Sequence, residues 1–91
     1  MAIEFDPEKR AATLIERGLD MAEAGAIFEG PTLTAPDNRR DYGEERFLTI
    51  GWLGGRMVAV AWTPRGAVRR IISLRCCNER ERTRYLPAVS G

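Results

Sequence analysis

Arginine is the residue type whose number and spacing in this sequence suggest chemistry. Thirteen of the fourteen basic residues are arginine, and six of the thirteen fall within residues 68–85. A guanidinium group is planar and binds phosphate through two parallel hydrogen bonds, so a cluster of these groups indicates a polyanion-binding site. An arginine-rich composition is also typical of a G+C-rich genome, and composition alone does not separate the two interpretations.

The charges are divided unevenly between the two halves of the chain. Residues 1–45 carry a net charge of −6 and residues 46–91 carry +7, although the total is only +1. Such asymmetry suggests a nucleic acid or an acidic partner for the basic half. The alternative is that the halves neutralise each other across the fold, and charge alone supports both equally.

Several kinds of site are excluded by the residues that the sequence lacks. It contains no histidine, which removes Ser-His-Asp and Cys-His catalysis and most zinc sites, and it has no phosphate-binding glycine motif. Cys76 and Cys77 are adjacent, so we expect reduced, buried thiols rather than a disulfide. No apolar run reaches the roughly 18 residues of a membrane span and the N-terminus does not resemble a signal peptide. These observations predict a cytoplasmic protein without a metal, a cofactor or a membrane partner.

RNA cleavage by the neighbouring 2′-hydroxyl group is one reaction that suits the remaining side chains. It needs a proton acceptor, a charge clamp on the transition state and, less strictly, a proton donor. Arginines supply the clamp, which is usually the largest contribution in such catalysis. A carboxylate or a tyrosine exchanges protons when neighbours shift its pKa. The reaction requires neither a metal nor a cofactor.

The helices that must position these residues are indicated by capping signals. Asp6 with Pro7 begins a first helix, residues 11, 14 and 15 supply its apolar stripe, and Gly18 ends it. Asp20 begins a second helix through a capping box with Glu23, and residues 22, 26 and 27 form its buried side. Asn78 with Glu81 begins the last helix, which is expected to stop before residue 87 and leave a frayed tail over residues 87–91.

The strands follow from β-branched and apolar runs that turn signals separate. They are predicted at residues 3–5, 32–35, 46–53, 57–63 and 68–75, with turns at residues 54–55 and 64–66. The strand at residues 57–63 is almost wholly apolar and is therefore predicted to be central. The whole chain, residues 1–91, is predicted to be one α+β domain: two N-terminal helices, an antiparallel three- to four-stranded sheet and a C-terminal helix. We expect the helices on one face of the sheet and the arginines on the other.

The blocks DPEK, GEERFLTIGWL, AWTPRG, RRIISLR and ERERTRY occur in this order over residues 5–85. Together they resemble the BrnT toxins of bacterial toxin–antitoxin pairs. The resemblance implies a fold similar to the RelE-type ribonuclease toxins and a cytoplasmic endoribonuclease that cleaves RNA and halts translation. It implies as partner a cognate BrnA-like, DNA-binding antitoxin, with promoter DNA contacted only through the complex of the two proteins.

The resemblance also implies site residues, because the family's motif can be carried over by position. Two departures from it are Arg17-Gly18, where the family usually has His-Gly, and Cys76-Cys77, where it usually has a basic residue and alanine. The motif falls on Lys9, Glu45, Arg46, Thr63, Arg70, Ser73, Arg75, Glu81 and Tyr85.

The predicted catalytic roles each have a structural alternative. Arg46, Arg70 and Arg75 are interpreted as the clamp on the scissile phosphate; alternatively they pair with the acidic half. Glu45 is interpreted as the proton acceptor or as the group that orients Arg46; alternatively it is an ordinary loop carboxylate. Tyr85 is interpreted as a proton donor or a base-stacking ring, and the alternative is an aromatic anchor for the last helix. The predicted RNA contacts are Lys9, Thr63, Arg65, Ser73, Arg80 and Arg82.

Two other functions stay open on the sequence. A non-catalytic nucleic-acid-binding module predicts salt-dependent binding without strand scission. A protein-interaction domain predicts a basic face that only receives an acidic segment of a partner.

Overall fold

One five-stranded mixed sheet organises the molecule. The computed structural model describes residues 2–90, and the sheet has the spatial order β1-β5-β4-β3-β2. β2 to β5 pair antiparallel in sequence order, whereas β1 pairs in parallel with β5. The strands are β1 (Ala2–Glu4), β2 (Leu33–Pro36), β3 (Phe47–Leu53), β4 (Arg56–Arg65) and β5 (Val68–Cys76).

The α+β class and the central position of β4 are confirmed, but the predicted sheet is wrong in two respects. It has five strands rather than three or four, and one pairing is parallel. The parallel pair joins Ala2 to Val68, and no local pattern in the sequence signals a contact between residues so far apart in the chain. β4 also continues through Pro64 and Arg65, which were predicted to form the turn, so that the turn is left to Gly66 with φ of 61°.

Helix α1 (Pro7–Arg17) has the predicted bounds. The Asp6 carboxylate accepts a hydrogen bond from the Glu8 N–H at 2.9 Å. Gly18 ends the helix in the left-handed region with φ of 68° and donates its N–H to the Leu14 carbonyl. Glycine reaches that conformation without the clash a Cβ causes.

The predicted apolar stripe of α1 is not buried. Ile15 is 85% exposed and Leu14 is 44% exposed, and Thr13 is the buried residue of this helix. Polar contacts attach α1 to its neighbours instead, among them one from the Arg17 Nη1, which donates to the Leu74 carbonyl oxygen at 2.8 Å. Helical periodicity alone therefore gave the wrong buried face.

The second helix is a 3₁₀ helix (Met21–Glu29) rather than an α-helix. It begins at Asp20 as predicted, but the Glu23 N–H donates to the Asp20 carbonyl oxygen at 3.0 Å and the Asp20 carboxylate accepts from the Ala22 N–H. The buried side chains are Met21, Ala24 and Ile27, not the predicted set at residues 22, 26 and 27. Their spacing of three residues matches the three residues per turn of a 3₁₀ helix.

Helices cover both faces of the sheet, which corrects the expectation of one covered face. The face that packs against α1 and the 3₁₀ helix is called the N-terminal face. Its core is Leu19, Met21, Ala24, Ile27, Leu53, Val58, Val60, Ile71 and Leu74. The opposite face, called the C-terminal face, packs against helix α2 (Glu79–Val89). Its core is Ile50, Met57, Ala59, Cys77 and Val89.

Helix α2 begins with the predicted capping box and ends later than predicted. The Asn78 carboxamide oxygen accepts from the Glu81 N–H at 2.8 Å, and the Glu81 carboxylate accepts from the Asn78 N–H at 3.0 Å. The helix continues through Pro87 to Val89, so the predicted stop and the predicted frayed tail are wrong for residues 87–89. A proline inside a helix costs one hydrogen bond. Burial of Val89 and a 2.7 Å hydrogen bond from the Trp52 indole to its carbonyl oxygen offset that cost.

The two cysteines differ from each other. Both are free thiols, but Cys76 ends β5 and is exposed, whereas Cys77 is buried in the C-terminal core as predicted. Within residues 2–90, no helix is long and apolar enough to cross a membrane.

Candidate functional site

The strand register places the predicted clamp arginines in two separate rows across the C-terminal face. Arg70 pairs with Glu4 on one side and with Thr63 on the other. Arg46 continues this row, because it directly precedes the Phe47 partner of Trp62. Arg75 lies in a second row, opposite Ala59. The rows are four β4 residues apart, or about 13 Å. Arg46 and Arg70 are therefore brought together, and Arg75 is not brought beside them.

A cleft of about 320 Å³ opens on the C-terminal face, between the β2–β3 edge and the first turns of α2. Apolar residues of β2 and β3 form part of its wall, and charged or hydroxyl-bearing side chains form another part. The chemically active lining residues are Asp37, Arg39, Arg75, Glu81 and Tyr85.

A bidentate ion pair joins Arg75 to Glu81 within the cleft. Arg75 Nη1 and Nη2 donate to Glu81 Oε1 and Oε2 at 2.7 and 2.9 Å. The hydrogen bonds from Arg75 and from the Asn78 N–H lower the pKa of Glu81 to about 2. Glu81 is therefore ionised at neutral pH and is a weak base, since an efficient general base has a pKa near the working pH. Its contacts fit a group that orients Arg75 from the start of α2.

A second bidentate pair stands in the same cleft and was missed by sequence reasoning. Arg39 Nε and Nη2 donate to the two carboxylate oxygens of Asp37 at 2.8 and 2.9 Å. Asp37 is only 7% exposed, and the hydrogen bond from Arg39 lowers its pKa. The Arg39 side chain is 71% exposed, so its guanidinium group reaches solvent. The sequence indicates only turn material here, and its one signal of a site is the pair of adjacent arginines that follows β2 after two residues.

The row with Arg46 and Arg70 has only long ion pairs. Arg46 lies 3.6 Å from Glu44, and Arg70 lies 3.5 Å from Glu4. Arg65 reaches the same Glu44 at 3.7 Å. Pairs this long and this accessible contribute little to stability, so the guanidinium groups can exchange them for an incoming anion.

Glu45 and Thr63 contribute to this row through the backbone. Thr63 is buried, and its hydroxyl donates to the Glu45 carbonyl oxygen. The Glu45 residue is exposed and does not line the cleft. This hydrogen bond fixes the segment that carries Arg46, whose ion pair is with Glu44 rather than with Glu45.

Tyr85 is half-buried, lines the cleft and packs against the C-terminal core. Both the functional and the anchoring interpretations of this ring are therefore compatible with its position. The ring is close to Arg84, whose guanidinium carbon is 5.6 Å from the ring centroid.

The remaining predicted RNA contacts lie outside the cleft. Lys9 and Ser73 line a depression beside α1. Arg80 lies on the exposed surface of α2. Arg82 donates to the Cys77 carbonyl oxygen at 2.8 Å, which is a helix-start contact. The family departure at Arg17 is also structural, because that side chain bonds the Leu74 carbonyl oxygen. Within residues 2–90, no group of three potential ligands among Asp, Glu, Cys and His surrounds a common metal position.

The molecule is a small α+β domain with an open cleft that paired arginines and a tyrosine line, and exposed guanidinium groups of this kind suit an anion. The family model of the ribonuclease toxin BrnT, of type II toxin–antitoxin systems, matches residues 5–81. The chain belongs to this family, which implies ribonuclease activity and a cognate antitoxin. No curated protein matches the sequence. Tyr85 lies beyond the matched residues, and the cleft residues from Asp37 to Glu81 lie within them.

Proposed function

We propose that this protein is a metal-independent endoribonuclease that cleaves RNA within the cleft on the C-terminal face and halts translation. In the reaction, the 2′-oxygen attacks the adjacent phosphorus as its proton passes to solvent water, and the bond from phosphorus to the 5′-oxygen breaks. The leaving 5′-oxygen takes up a proton. The products are a 2′,3′-cyclic phosphate and a 5′-hydroxyl end, and no oxidant, reductant or metal enters the balance.

The observation that carries the proposal is the pairing of two oriented guanidinium groups in one cleft. Arg75 is fixed by Glu81, and Arg39 is fixed by Asp37. Both arginines line the same cleft. The hydrogen bond to Glu81 raises the pKa of Arg75, so this group stays charged beside Arg39. Two cations held close together favour an anion between them, and preorganised charge is what stabilises a phosphorane-like transition state.

The proton-donor role goes to a group that lines the same cleft. Tyr85 is the proposed proton donor for the leaving oxygen, because it is the phenol that lines the cleft. Glu81 orients Arg75 rather than taking the proton, in accord with its lowered pKa. Arg46 and Arg70, in the neighbouring row, bind the phosphate next to the scissile one, and Arg65 and Thr63 support that row.

A non-catalytic RNA-binding module is the second candidate function. One observation favours it: both carboxylates in the cleft, Asp37 and Glu81, have lowered pKa values. Neither is therefore matched to a proton-accepting role near neutral pH. In this case the same arginines bind RNA and no strand is cut.

The partner surface follows from the same proposal. We propose that the cognate BrnA-like antitoxin covers the cleft with an acidic segment, and that the complex contacts promoter DNA through the antitoxin. The proposal includes a cytoplasmic location, because the proposed antitoxin, its promoter DNA and the RNA substrate would be met there. Covering the arginines by an acidic segment would explain how one contact both occupies the site and neutralises the charge of the basic half.

The test is cleavage of a labelled RNA by the purified, antitoxin-free protein in EDTA, with the product ends mapped. The wild type is expected to leave 2′,3′-cyclic phosphates. Arg75→Ala should lower the rate about 100-fold, as for other removed charge-stabilising groups. Arg75→Lys should retain part of the activity, because it keeps the charge and loses the planar fork.

Arg56→Ala is the matched control, since Arg56 is an exposed β4 arginine outside the cleft. It should cleave like the wild type. The Arg70→Ala/Arg75→Ala double variant should abolish growth arrest while its circular dichroism spectrum stays native. Intact RNA with the wild type would support the binding module, and full toxicity of the folded double variant would contradict the site assignment.

A further inference from the structure

The loop between β2 and β3 carries a second basic cavity, in which Arg39 of the cleft and Arg46 of the motif meet two residues that belong to neither, Arg40 and Tyr42. Its volume is about 490 Å³, and its lining is Arg39, Arg40, Tyr42 and Arg46. Arg39 also lines the cleft that holds Arg75, so the two cavities are neighbours with one shared side chain. No residue of the sheet core lines this second cavity, which is formed by loop side chains alone.

The loop holds three of these side chains through its own contacts. The Arg46 guanidinium lies over the Tyr42 ring, 3.8 Å from its centroid. The Asp37 N–H donates to the Arg46 carbonyl oxygen at 2.8 Å, and the Asp37 carboxylate fixes Arg39. Gly43, with φ of 69°, closes the turn and donates its N–H to Asp41 at 3.0 Å. The cavity is therefore preorganised, so that a ligand pays little ordering entropy on binding.

The lining of this cavity carries three guanidinium groups and no carboxylate. Two of the three have acidic neighbours outside the lining: Asp37 holds Arg39, and Glu44 lies 3.6 Å from Arg46. Among the ion pairs of residues 2–90, none involves Arg40. Arg40 is exposed, so its charge is available to an anionic ligand.

We propose that the Arg39–Arg40–Tyr42–Arg46 cavity is a phosphate subsite for single-stranded RNA, which holds a nucleotide adjacent to the one bound in the Arg75 cleft. This rests on the proposed function, because it takes the cleft as the place of the scissile phosphate. Arg39 touches both phosphates, Arg40 and Arg46 bind the second, and Tyr42 positions Arg46. Arginine with an aromatic ring is a combination typical of RNA contact, and a planar fork suits phosphate oxygens.

The test uses Arg40→Ala, because Arg40 forms no ion pair that the fold would lose. The probe is a fluorescent, fully 2′-O-methylated RNA oligonucleotide of about ten nucleotides, which cannot be cleaved by 2′-hydroxyl attack. Arg40→Ala should weaken its binding about fivefold at low salt. The slope of log affinity against log salt should become shallower by about 0.7, the value for one phosphate contact on a single strand.

Cleavage of two substrates then locates the subsite. Arg40→Ala should raise KM for a long RNA about fivefold with kcat unchanged, and it should leave cleavage of a dinucleotide unchanged, because a dinucleotide has no second phosphate. Tyr42→Leu should produce the same pattern by releasing Arg46. Arg56→Ala, an exposed arginine that lines neither cavity, should change neither substrate.

The outcomes separate failure of the subsite from failure of the proposed function. If the wild type binds the oligonucleotide but cleaves no RNA, the nuclease proposal fails, and the shifted salt slope still supports the subsite. If the wild type cleaves RNA and Arg40→Ala keeps its affinity and slope, the subsite is wrong. If a poly-glutamate peptide binds as tightly as the oligonucleotide and depends equally on Arg40, the loop is a contact for an acidic protein and the RNA assignment is overturned.

Discussion

Both faces of the sheet carry arginines, and the two faces hold them differently. On the N-terminal face, Arg10 pairs with Asp20 at 2.7 Å. Arg17 donates to a backbone carbonyl group. Arg69 lies over the ring of Phe28, 4.0 Å from its centroid, and near that of Trp62 at 5.1 Å. Each of these side chains completes a contact between elements of the fold.

On the C-terminal face, Arg39 and Arg75 also have close bidentate partners, at 2.8 and 2.7 Å. Both line the same open cleft. Arg46 and Arg70 have only long ion pairs, at 3.6 and 3.5 Å. The carboxylates on this face orient guanidinium groups and leave one side of each open to a ligand.

An arginine that has an ion-pair partner can therefore still be a ligand-binding group. The two faces differ in what the held arginine borders, not in its exposure, since the side chains of Arg10 and Arg75 are 43% and 40% exposed. On the N-terminal face the contact of each arginine joins two elements of the fold. On the C-terminal face the carboxylates hold two guanidinium groups at one shared cleft, where an anion can bind. Variants that remove the contacts of one face at a time test this division of roles.

The largest expected effect comes from deleting residues 87–91, which supports the C-terminal face alone. The deletion removes the fully buried Val89 and the acceptor of the Trp52 hydrogen bond. Burial of one such side chain and one hydrogen bond together stabilise by about 3 kcal/mol. Urea denaturation should show the free energy of unfolding lowered by that amount, whereas Leu86→Ala, at a site 47% exposed, should cost about 0.5 kcal/mol. An unchanged midpoint would mean that the end of α2 contributes nothing to this face.

The end of α2 also shows where sequence reasoning fails. Pro87 gave a strong local stop signal, and the contact that overrides it joins residues 52 and 89, far apart in the chain. The caps at Asp6, Gly18 and Asn78 were predictable because each uses hydrogen bonds within a few residues. The parallel β1–β5 pair was also unpredictable, because it too joins residues that are far apart in the chain.

In the candidate site, too, local sequence signals were predictable and contacts between distant residues were not. Arg46, Arg70 and Arg75 were identified by type and by family motif, but their separation into two rows depends on the register of β4 with β5. Arg39 was missed because its role depends on a buried aspartate two residues earlier, and burial of a loop carboxylate is not visible in a sequence. Residue type predicted the chemistry, and pairing across the sheet determined which groups share a cleft.

The next largest effect is a difference in stability between variants of two adjacent arginines, Arg69 and Arg70, whose side chains lie on opposite faces of β5. Arg69→Ala removes the stacking on Phe28 and Trp62 and should lower the free energy of unfolding by about 1–2 kcal/mol. Cleavage per folded molecule should stay unchanged. Arg70→Ala should change stability by less than about 0.5 kcal/mol, because its ion pair with Glu4 is 3.5 Å long.

Arg70→Ala should in turn weaken RNA binding about fivefold and make the salt dependence shallower. Thermal unfolding and oligonucleotide binding of the two variants, measured side by side, check the pair. Equal losses of stability and binding in both variants would mean that the two faces do not divide these roles.

The smallest expected effect is a pH dependence that arises on the C-terminal face. The pKa of Glu81 is lowered from 4.5 to about 2, first by the hydrogen bonds from Arg75. A group with a lowered folded-state pKa stabilises fully above its unfolded pKa, and this contribution is lost as the pH falls from about 4.5 through about 2. Because the Arg75 side chain is 40% exposed, solvent screening limits the contribution to about 1 kcal/mol.

Urea midpoints of the wild type and Glu81→Gln should therefore differ above pH 5 and converge near pH 2. The control is Glu16→Gln, an exposed carboxylate of α1 with no ion pair among those of the described residues, which should follow the wild type throughout. A constant difference between wild type and Glu81→Gln at every pH would show that the charge on Glu81 is not what stabilises the cleft, because glutamine keeps the capping box with Asn78.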